Sequence, residues 1–308
     1  MKTESRLEKV LASGQLAVTS ECGPPRGADA AIVREKAAHL KGYVDGVNIT
    51  DNQTAMVRMS SVCAGIIVKE MGMDPIIQMV ARDRNRLAAQ SEVLGAYAHG
   101  INTMLCLSGD HPKFGDHPMA KGVYDIDSVQ MIKCVKDMRD EGLFQGGAKI
   151  TGGLPKMFIG AAANPFADPF ELRVARLAKK VKAGVDFIQT QCIFNLDKFE
   201  EYMKQVVDRG LDKEVHILAG ITPMKSVGMA RYMKNKVPGM DIPDSVIDRL
   251  AGVPKEKQAD EGIKMAIEDI ERLKECKGVH GFHIMAIEWE ERVPEIVEMA
   301  GLMPRPEV

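Results

Sequence analysis

Two carboxylates stand where apolar strand patterns end. Residues 101–107 form a mostly apolar run without alternation, which is typical of a strand buried on both faces of a parallel sheet. This run stops at a Ser108-Gly109-Asp110 turn that leaves Asp110 at the carboxyl end of the strand, and Glu21 ends the earlier strand pattern at 15–21. Ligands of parallel α/β proteins bind at the carboxyl ends of the strands, so both acids are candidates for an active site. Taken alone, Asp110 is equally well interpreted as a turn aspartate that bonds its own backbone.

Other polar side chains follow the remaining strand patterns. They are Thr50, Gln78, Asn164, Gln191 and Glu288. With the first two acids, this set suits a neutral, hydrogen-bonding heterocycle better than phosphoryl transfer, which favours a Gly-rich loop and a lysine. Basic residues gather on the helix predicted after the fifth strand, at Arg173, Arg176, Lys179 and Lys180. A solvated helix face explains them most simply, but their position also leaves room for a cofactor phosphate.

The histidines do not predict a metal site. His111 and His117 lie in a repeated Gly-Asp-His-Pro segment, but no dependable third ligand accompanies them. A glycine- and proline-shaped active-site loop is the better interpretation of this segment. His216 and His283 fall within strand patterns and are interpreted as hydrogen-bonded core residues.

Eight strand patterns alternate with helical ones along the chain. The strands are predicted at 15–21, 44–50, 75–80, 101–107, 156–162, 185–191, 215–220 and 281–287. This alternation predicts an α/β protein with a single (β/α)8 TIM barrel domain over residues 1–308. A short helix precedes the first strand, and extra helices separate strands seven and eight. An open doubly wound sheet is the alternative, but no Gly-x-Gly-x-x-Gly follows the first strand.

Composition excludes several classes of function. The net charge of -2 argues against nucleic-acid binding, and no apolar run approaches the ~20 residues that span a bilayer. The charged N-terminus does not resemble a signal peptide, which predicts a cytoplasmic location. The six cysteines lie far apart without a Cys-x-x-Cys pair, so disulfides, zinc and an iron–sulfur cluster within the chain are not expected.

Five segments at the predicted strand ends carry the motifs of a known enzyme family in the family's order. They are Thr19–Pro25 with its Glu-x-x-Pro-Pro pattern, Val47–Thr50, Leu107–Asp110, Lys180–Val185 leading into Thr190-Gln191, and Ala219–Pro223. On these segments the chain resembles the methylenetetrahydrofolate reductase family. Each motif is weakly specific, but five in register cover almost the whole chain.

The resemblance implies a flavin, FAD or FMN, held at the barrel mouth, and a tetrahydrofolate substrate. The implied reaction reduces 5,10-methylenetetrahydrofolate to 5-methyltetrahydrofolate. Opening the methylene-bridged ring requires a proton on N10, which the family's pattern assigns to Glu21 as general acid with a raised pKa. Asp110 is implied as the second catalytic residue, near both flavin and pterin.

The same resemblance implies residues for substrate and cofactor. The implied substrate-binding residues are Glu21, Asp110, Gln191 and Glu288. The implied flavin-binding residues are Thr50, Gln78, Ser108, Gly109, Asp110, Tyr124, Ala163, Asn164, Arg176 and Lys180. An amide such as that of Gln191 can donate and accept at once, as a pterin edge demands.

The chain also differs from the family's pattern. Gln78 and Ser108 replace a histidine and an arginine, and Val227 is nearest to the position of a missing aromatic after the seventh strand. These differences disfavour direct use of NADH. Some members in anaerobic one-carbon metabolism receive electrons from an iron–sulfur partner subunit, so we predict such a partner and an oligomer. The end of the chain soon after the barrel predicts the type without a regulatory domain.

Two other functions remain open at the level of the sequence. One is a pterin-binding barrel that transfers a methyl group to a corrinoid protein and needs no flavin. The other is a non-catalytic barrel subunit of a larger redox complex. Glu21 and Asp110, at positions where proton chemistry needs them, weigh against the second of these.

Overall fold

A computed structural model describes residues 1–308 and shows eight parallel strands in a closed barrel. In chain order, β1 to β8 are Ala17–Cys22, Gly46–Ile49, Pro75–Val80, Thr103–Leu107, Phe158–Ala163, Phe187–Cys192, His216–Ile221 and Gly281–Ile284. Each strand pairs with the next, and β8 closes the barrel on β1. The predicted TIM barrel is confirmed, and the open doubly wound sheet is excluded.

Eleven α-helices surround the strands. In chain order, α1 to α11 are Arg6–Ala12, Ala30–Leu40, Ser61–Glu70, Arg86–Ala98, Ser128–Asp140, Leu172–Ala183, Leu196–Asp208, Val227–Lys236, Asp244–Ala251, Gln258–Lys274 and Val293–Met299. Three of them, α8 to α10, lie between β7 and β8. None of these helices has the length and apolar content needed to cross a lipid bilayer.

The strands differ from their predicted ranges mainly at the ends. The eighth was predicted to reach residue 287, but β8 ends at Ile284. The Met285 N–H still bonds to the Ile221 carbonyl at 2.8 Å, after which the backbone turns and Glu288 takes a φ of 49°. The apolar residues after Ile284 therefore belong to a loop, because apolar character alone does not keep a chain hydrogen-bonded to its neighbour.

Apolar side chains fill the lower part of the barrel. Helix α1 packs Leu7, Val10 and Leu11 against residues of the barrel interior. The interior members of this cluster are Ala17, Ile76, Leu105, Phe158, Phe187 and Leu218. Phe158 and Phe187 stack with ring centroids 5.2 Å apart. Because this end is filled, as in barrels generally, an open cavity has to lie at the opposite, carboxyl end of the strands.

Candidate active site

A cavity of about 510 Å³ opens at the carboxyl ends of the strands. Its volume falls within the roughly 300–1,000 Å³ of small-molecule sites. Of the predicted site residues, the cavity brings together Glu21, Gln78, Ala163, Asn164, Arg176, Lys180 and Gln191. The other lining residues are Leu105, Leu107, Ala162, Ala167, Arg173, Leu177, Gln189, Thr190, His283 and Met285. Strands from all sides of the barrel thus contribute to one pocket.

Glu21 lies at the end of β1 and faces this pocket. Its side chain is 15% exposed, and its Oε1 lies 3.8 Å from Nε2 of His283. Two buried thiols, Cys22 and Cys192, are its electrostatic neighbours, and burial raises the pKa of each to about 12. Both thiols are therefore uncharged at neutral pH. A carboxyl group in such surroundings is suited to proton transfer to a bound molecule.

Gln191 owes its position to an irregularity of β6. Gln189 pairs with Leu218 but Cys192 pairs with Gly220, so β6 contains one residue more than β7 in this interval. Such a bulge breaks the alternation of side chains. As a result, Gln189, Thr190 and Gln191 all line the cavity. The Gln191 Oε1 accepts the N–H of Cys192 at 3.1 Å, which leaves its amide N–H groups for a ligand.

Gly220 makes room for this bulge. A Cβ at Gly220 would lie 2.4 Å from the carbonyl oxygen of Thr190 and 2.8 Å from that of Gln191. Its N–H donates to Oγ1 of Thr190 at 2.9 Å. The glycine in the seventh-strand motif is therefore a packing requirement of the neighbouring strand.

Cations form the wall beside β5. Arg173, Arg176 and Lys180 of α6 all line the cavity. The Lys180 ammonium donates to the carbonyl of Ala162. Burial lowers the pKa of Lys180 to about 8, and the charge of Arg176 acts in the same direction. An anion bound here would relieve both effects, so this wall suits a phosphate group.

Asn164 is fixed by hydrogen bonds within the chain. Its Nδ2 donates to the carbonyl of Gly239 at 3.1 Å, and its Oδ1 accepts the N–H of Phe166 at 2.8 Å. Gly239 has a φ of 81°, and a Cβ there would lie 2.4 Å from Nδ2 of Asn164. The loop between α8 and α9 therefore packs directly on the rim of the pocket.

Asp110 does not line the cavity. Its exposed carboxylate accepts the backbone N–H of Thr54 at 3.1 Å, and its carbonyl accepts from Nη1 of Arg82 at 2.9 Å. Gly109 turns the chain with a φ of 86°. A Cβ there would come within 3.0 Å of Val80, so this turn favours glycine. The exposed Ser108, whose Oγ lies 3.3 Å from that of Ser128, is also absent from the cavity wall.

Three more predicted residues stand outside the cavity wall. Thr50 is buried, and its Oγ1 has no hydrogen-bond partner. Tyr124 is 42% exposed, with a φ of 43°, and its N–H donates to the carbonyl of Ala81 at 3.2 Å. Glu288 forms a short ion pair with Lys36 and lies 3.5 Å from Arg58. Partial burial would raise the pKa of Glu288, but Lys36, Arg58 and Lys225 outweigh it and lower the pKa.

The histidines of the loop after β4 have local partners. His111 Nδ1 accepts the N–H of Lys113 at 3.1 Å, and His117 Nδ1 lies 2.9 Å from Asp116. In the structure no three His, Cys, Asp or Glu side chains converge as metal ligands would.

Sequence reasoning missed several lining residues. His283 was interpreted as a core histidine, and it is 97% buried, but its ring edge forms part of the cavity wall. Gln189 was not selected, and Thr190 was named only as part of a motif and not as a site residue. Strand alternation from Gln191 would have indicated Gln189 as inward-facing, whereas Thr190 follows only from the bulge and His283 only from the pairing of β8 with β1.

The sequence profile described as methylenetetrahydrofolate reductase matches residues 6–301. The 5,10-methylenetetrahydrofolate reductase of Salmonella typhimurium is 23% identical over 301 residues, covering 94% of this chain and 93% of that protein. Methylenetetrahydrofolate reductase 2 of Schizosaccharomyces pombe is 26% identical over 223 residues, covering 68% of this chain and 33% of that protein. The chain thus spans about a third of the length of the first curated relatives it matches.

A solved structure with a similar fold covers nearly the whole chain. It is an uncharacterized protein from Clostridium thermocellum that binds two copies of 5-methyl-5,6,7,8-tetrahydrofolic acid. The TM-score is 0.66 at 14% identity, with 97% of this chain and 99% of that chain covered. At this identity the likeness shows a shared fold.

Proposed function

Because the chain belongs to the methylenetetrahydrofolate reductase family, we propose that it reduces 5,10-methylenetetrahydrofolate to 5-methyltetrahydrofolate with a bound flavin. The observation that carries the proposal is the cavity itself, which combines Glu21 on β1 with Lys180 beside β5. These strands lie four places apart in a closed barrel of eight, so the acid and the cation stand on opposite walls. The folate bound by the Clostridium thermocellum protein supports a reduced folate as the ligand class.

The residues present fit a flavin. The Thr50 hydroxyl is buried without a partner, which is uncommon and is a place where a ligand can complete a hydrogen bond. Ile49 of β2 pairs with Ile77 of β3, so Thr50 and Gln78 are the next residues on two neighbouring strands. We propose that these two residues with Ala163 and Asn164 hold the ring system, and that Arg176 and Lys180 hold the phosphate. FAD and FMN both satisfy this arrangement.

The flavin, when bound and reduced, supplies a hydride. The residues of the chain then have to open the methylene-bridged ring of the substrate. Glu21 donates its proton to N10, the bond between N10 and the methylene carbon breaks, and the carbon becomes an iminium joined to N5. Accepting the hydride converts this carbon to the N5-methyl group of the product. The Glu21 carboxylate recovers its proton from solvent, which reaches it through the open mouth.

Gln191 and Asp110 have different relations to the substrate in this proposal. The free N–H groups of Gln191 face the cavity and bind the pterin edge. The Asp110 carboxylate would have to exchange the Thr54 N–H for an N–H of the pterin. Such an exchange couples substrate binding to the loop that follows β2. Glu288, whose charge is already balanced by Lys36, binds the substrate at the rim of the cavity in this proposal.

The electron donor is proposed to be an iron–sulfur partner protein. Val227, nearest to the missing aromatic position, is buried in a separate apolar cluster and does not line the cavity. Exposed apolar side chains lie in the loop between β4 and α5, at Phe114, Met119, Val123 and Tyr124. They supply a surface on which a partner can dock beside the mouth. The isolated chain should therefore oxidise NADH slowly while exchanging electrons with dyes.

The test is a half-reaction of the purified protein. The flavin spectrum is recorded first, and the flavin is then reduced without oxygen by dithionite and mixed with 5,10-methylenetetrahydrofolate. Return of the oxidised spectrum with formation of 5-methyltetrahydrofolate, seen by mass spectrometry, supports the proposal. Tetrahydrofolate without the methylene bridge is the matched control and should leave the flavin reduced. A colourless protein that still binds 5-methyltetrahydrofolate would favour methyl transfer to a corrinoid protein.

A further inference from the structure

Four buried polar side chains form a continuous line at the cavity floor that leads to Glu21. They come from four different strands, namely Asn48, Gln189, Thr19 and His283. Their exposures are 0%, 2%, 0% and 3%. Asn48 Nδ2 lies 2.6 Å from Gln189 Oε1, and Gln189 Nε2 lies 2.9 Å from Asn48 Oδ1. This reciprocal pair joins the two amides.

The line continues from the amides to the histidine. Gln189 Nε2 also donates to Thr19 Oγ1 at 3.1 Å. Thr19 Oγ1 lies 2.9 Å from His283 Nδ1. The threonine oxygen accepts from the amide, and His283 Nδ1 is the other polar atom within hydrogen-bond distance of it, so the hydroxyl proton has an acceptor when Nδ1 carries no proton. A neutral imidazole that accepts at Nδ1 carries its proton at Nε2.

The Nε2 side of His283 faces Glu21. Nε2 lies 3.8 Å from Oε1 of Glu21, longer than a hydrogen bond, and catalytic hydrogen bonds are commonly long before a substrate is bound. The other titratable neighbours of Glu21 are the thiols of Cys22 and Cys192, which remain uncharged. Of these three neighbours, His283 is the one that can offer a strong donor to Glu21.

We propose that His283 is a positioning residue for Glu21, held as the Nε2–H tautomer by Thr19, Gln189 and Asn48 so that it donates to the Glu21 carboxylate left after proton transfer. The chemical role rests on the proposed function, whereas the tautomer is inferred from the hydrogen bonds of Thr19 and does not depend on the reaction. A buried ring without this network would be free to place its proton on either nitrogen. The hydrogen bonds of Thr19, Gln189 and Asn48 therefore determine whether the ring nitrogen nearest to Glu21 carries a proton.

The tautomer is tested by NMR of the full chain labelled with nitrogen-15 at histidine. The His283 signals are identified by their loss in His283→Gln. At pH 7.5 we expect a proton on Nε2 only, and the Nε2 shift should respond to pH through Glu21 and lose that response in Glu21→Gln. A proton on Nδ1, or on both nitrogens, would overturn the inference. This experiment needs neither flavin nor folate.

The positioning role is tested by the pH profile of the folate half-reaction. Glu21 must hold a proton to act, and a donor from His283 favours its ionised form. The variant His283→Leu lacks that donor. In this variant the alkaline limb of the pH–rate profile should shift to higher pH by about one unit, and the rate of folate reduction should fall about tenfold. His283→Gln, which keeps an N–H donor, should restore most of both. His216→Leu, a histidine replaced at the opposite end of the barrel, is the matched control.

The outcomes separate the two ideas. If the wild-type protein is active and its pH–rate profile has the same alkaline limb as that of His283→Leu, the positioning role is contradicted and the proposed function is left intact. A wild-type protein without folate turnover contradicts the proposed function, whereas the NMR result still decides the tautomer.

Discussion

The carboxylate of Asp110 accepts the backbone N–H of Thr54 at 3.1 Å and so joins the loop after β4 to the loop after β2. Thr54 has a φ of 59°, a conformation that non-glycine residues adopt at a cost. The two loops also touch by their backbones, since a Cβ at Gly115 would lie 1.8 Å from the carbonyl oxygen of Ala55. The bond from Asp110 therefore stabilises a strained turn at the rim of the pocket.

Replacing Asp110 separates this structural role from a chemical one. Asp110→Asn should raise the KM for 5,10-methylenetetrahydrofolate about tenfold if the carboxylate binds the pterin, because a charge-assisted hydrogen bond is lost. The control is Asp116→Asn, whose carboxylate accepts the N–H of Val57 in the same pair of loops. Steady-state kinetics with an artificial electron donor measures both. Equal effects in the two variants would restrict Asp110 to supporting the loop.

Glu21→Gln tests the general acid. The amide has nearly the same shape but has no acidic proton to give, so folate reduction should fall by roughly 10²–10⁴-fold. Reduction of the flavin by dyes should be unchanged, because that reaction requires no proton on N10. Stopped-flow absorbance follows both half-reactions. Glu35→Gln, an exposed glutamate on α2, is the matched control. Folate turnover at the wild-type rate would exclude Glu21 as the acid.

Lys180 should make flavin binding depend on pH. Its pKa of about 8 means that the ammonium is charged below that pH and loses its charge above it. The affinity for FMN or FAD should therefore be high near pH ~7 and fall several-fold by pH ~9. Fluorescence titration measures it, with riboflavin as the control ligand that lacks a phosphate. Lys180→Arg, which stays charged, should remove the dependence. Equal pH profiles for FMN and riboflavin would contradict a phosphate site at Lys180.

Gln191 should affect substrate affinity more than rate. Gln191→Ala removes the amide that faces the cavity, so the KM for the folate should rise about tenfold while flavin content is unchanged. Gln205→Ala, on α7 and away from the cavity wall, is the control. Steady-state kinetics gives KM, and absorbance gives flavin content. A loss of flavin with an unchanged KM would assign Gln191 to the cofactor.

The lower barrel can be tested independently of activity. A Cβ at Gly160 would lie 2.3 Å from Cζ of Phe187, whose ring fills the space that the glycine leaves. Gly160→Ala should therefore destabilise the fold by about 1–3 kcal/mol, seen as a lower Tm. Adding Phe187→Leu should recover part of that loss, although Phe187→Leu alone also destabilises. If the loss of stability in the double variant equals the sum of the two single losses, the side chains at 160 and 187 do not compete for one space.

Much of the architecture follows from local patterns. Pro75–Val80 was predicted with the bounds that the structure shows, because proline opens the run and apolar residues fill it. Glu21 and Gln191 were placed at strand ends for the same reason, since a polar residue after an apolar run has to leave the sheet or face its mouth. The bulge in β6 could not be predicted, because it depends on Gly220 of a strand that is distant along the chain.

The sequence by itself determined the barrel, the family and the acid on the first strand, because strand periodicity and short motifs are local properties of the chain. Only the tertiary structure decided which polar residues share a cavity. Asp110 follows β4 and Glu21 lies near the end of β1, yet the Asp110 carboxylate accepts the N–H of Thr54 on the rim and the Glu21 carboxylate faces the pocket beside His283. That difference arises from loop packing and side-chain direction, which depend on residues far apart in the chain.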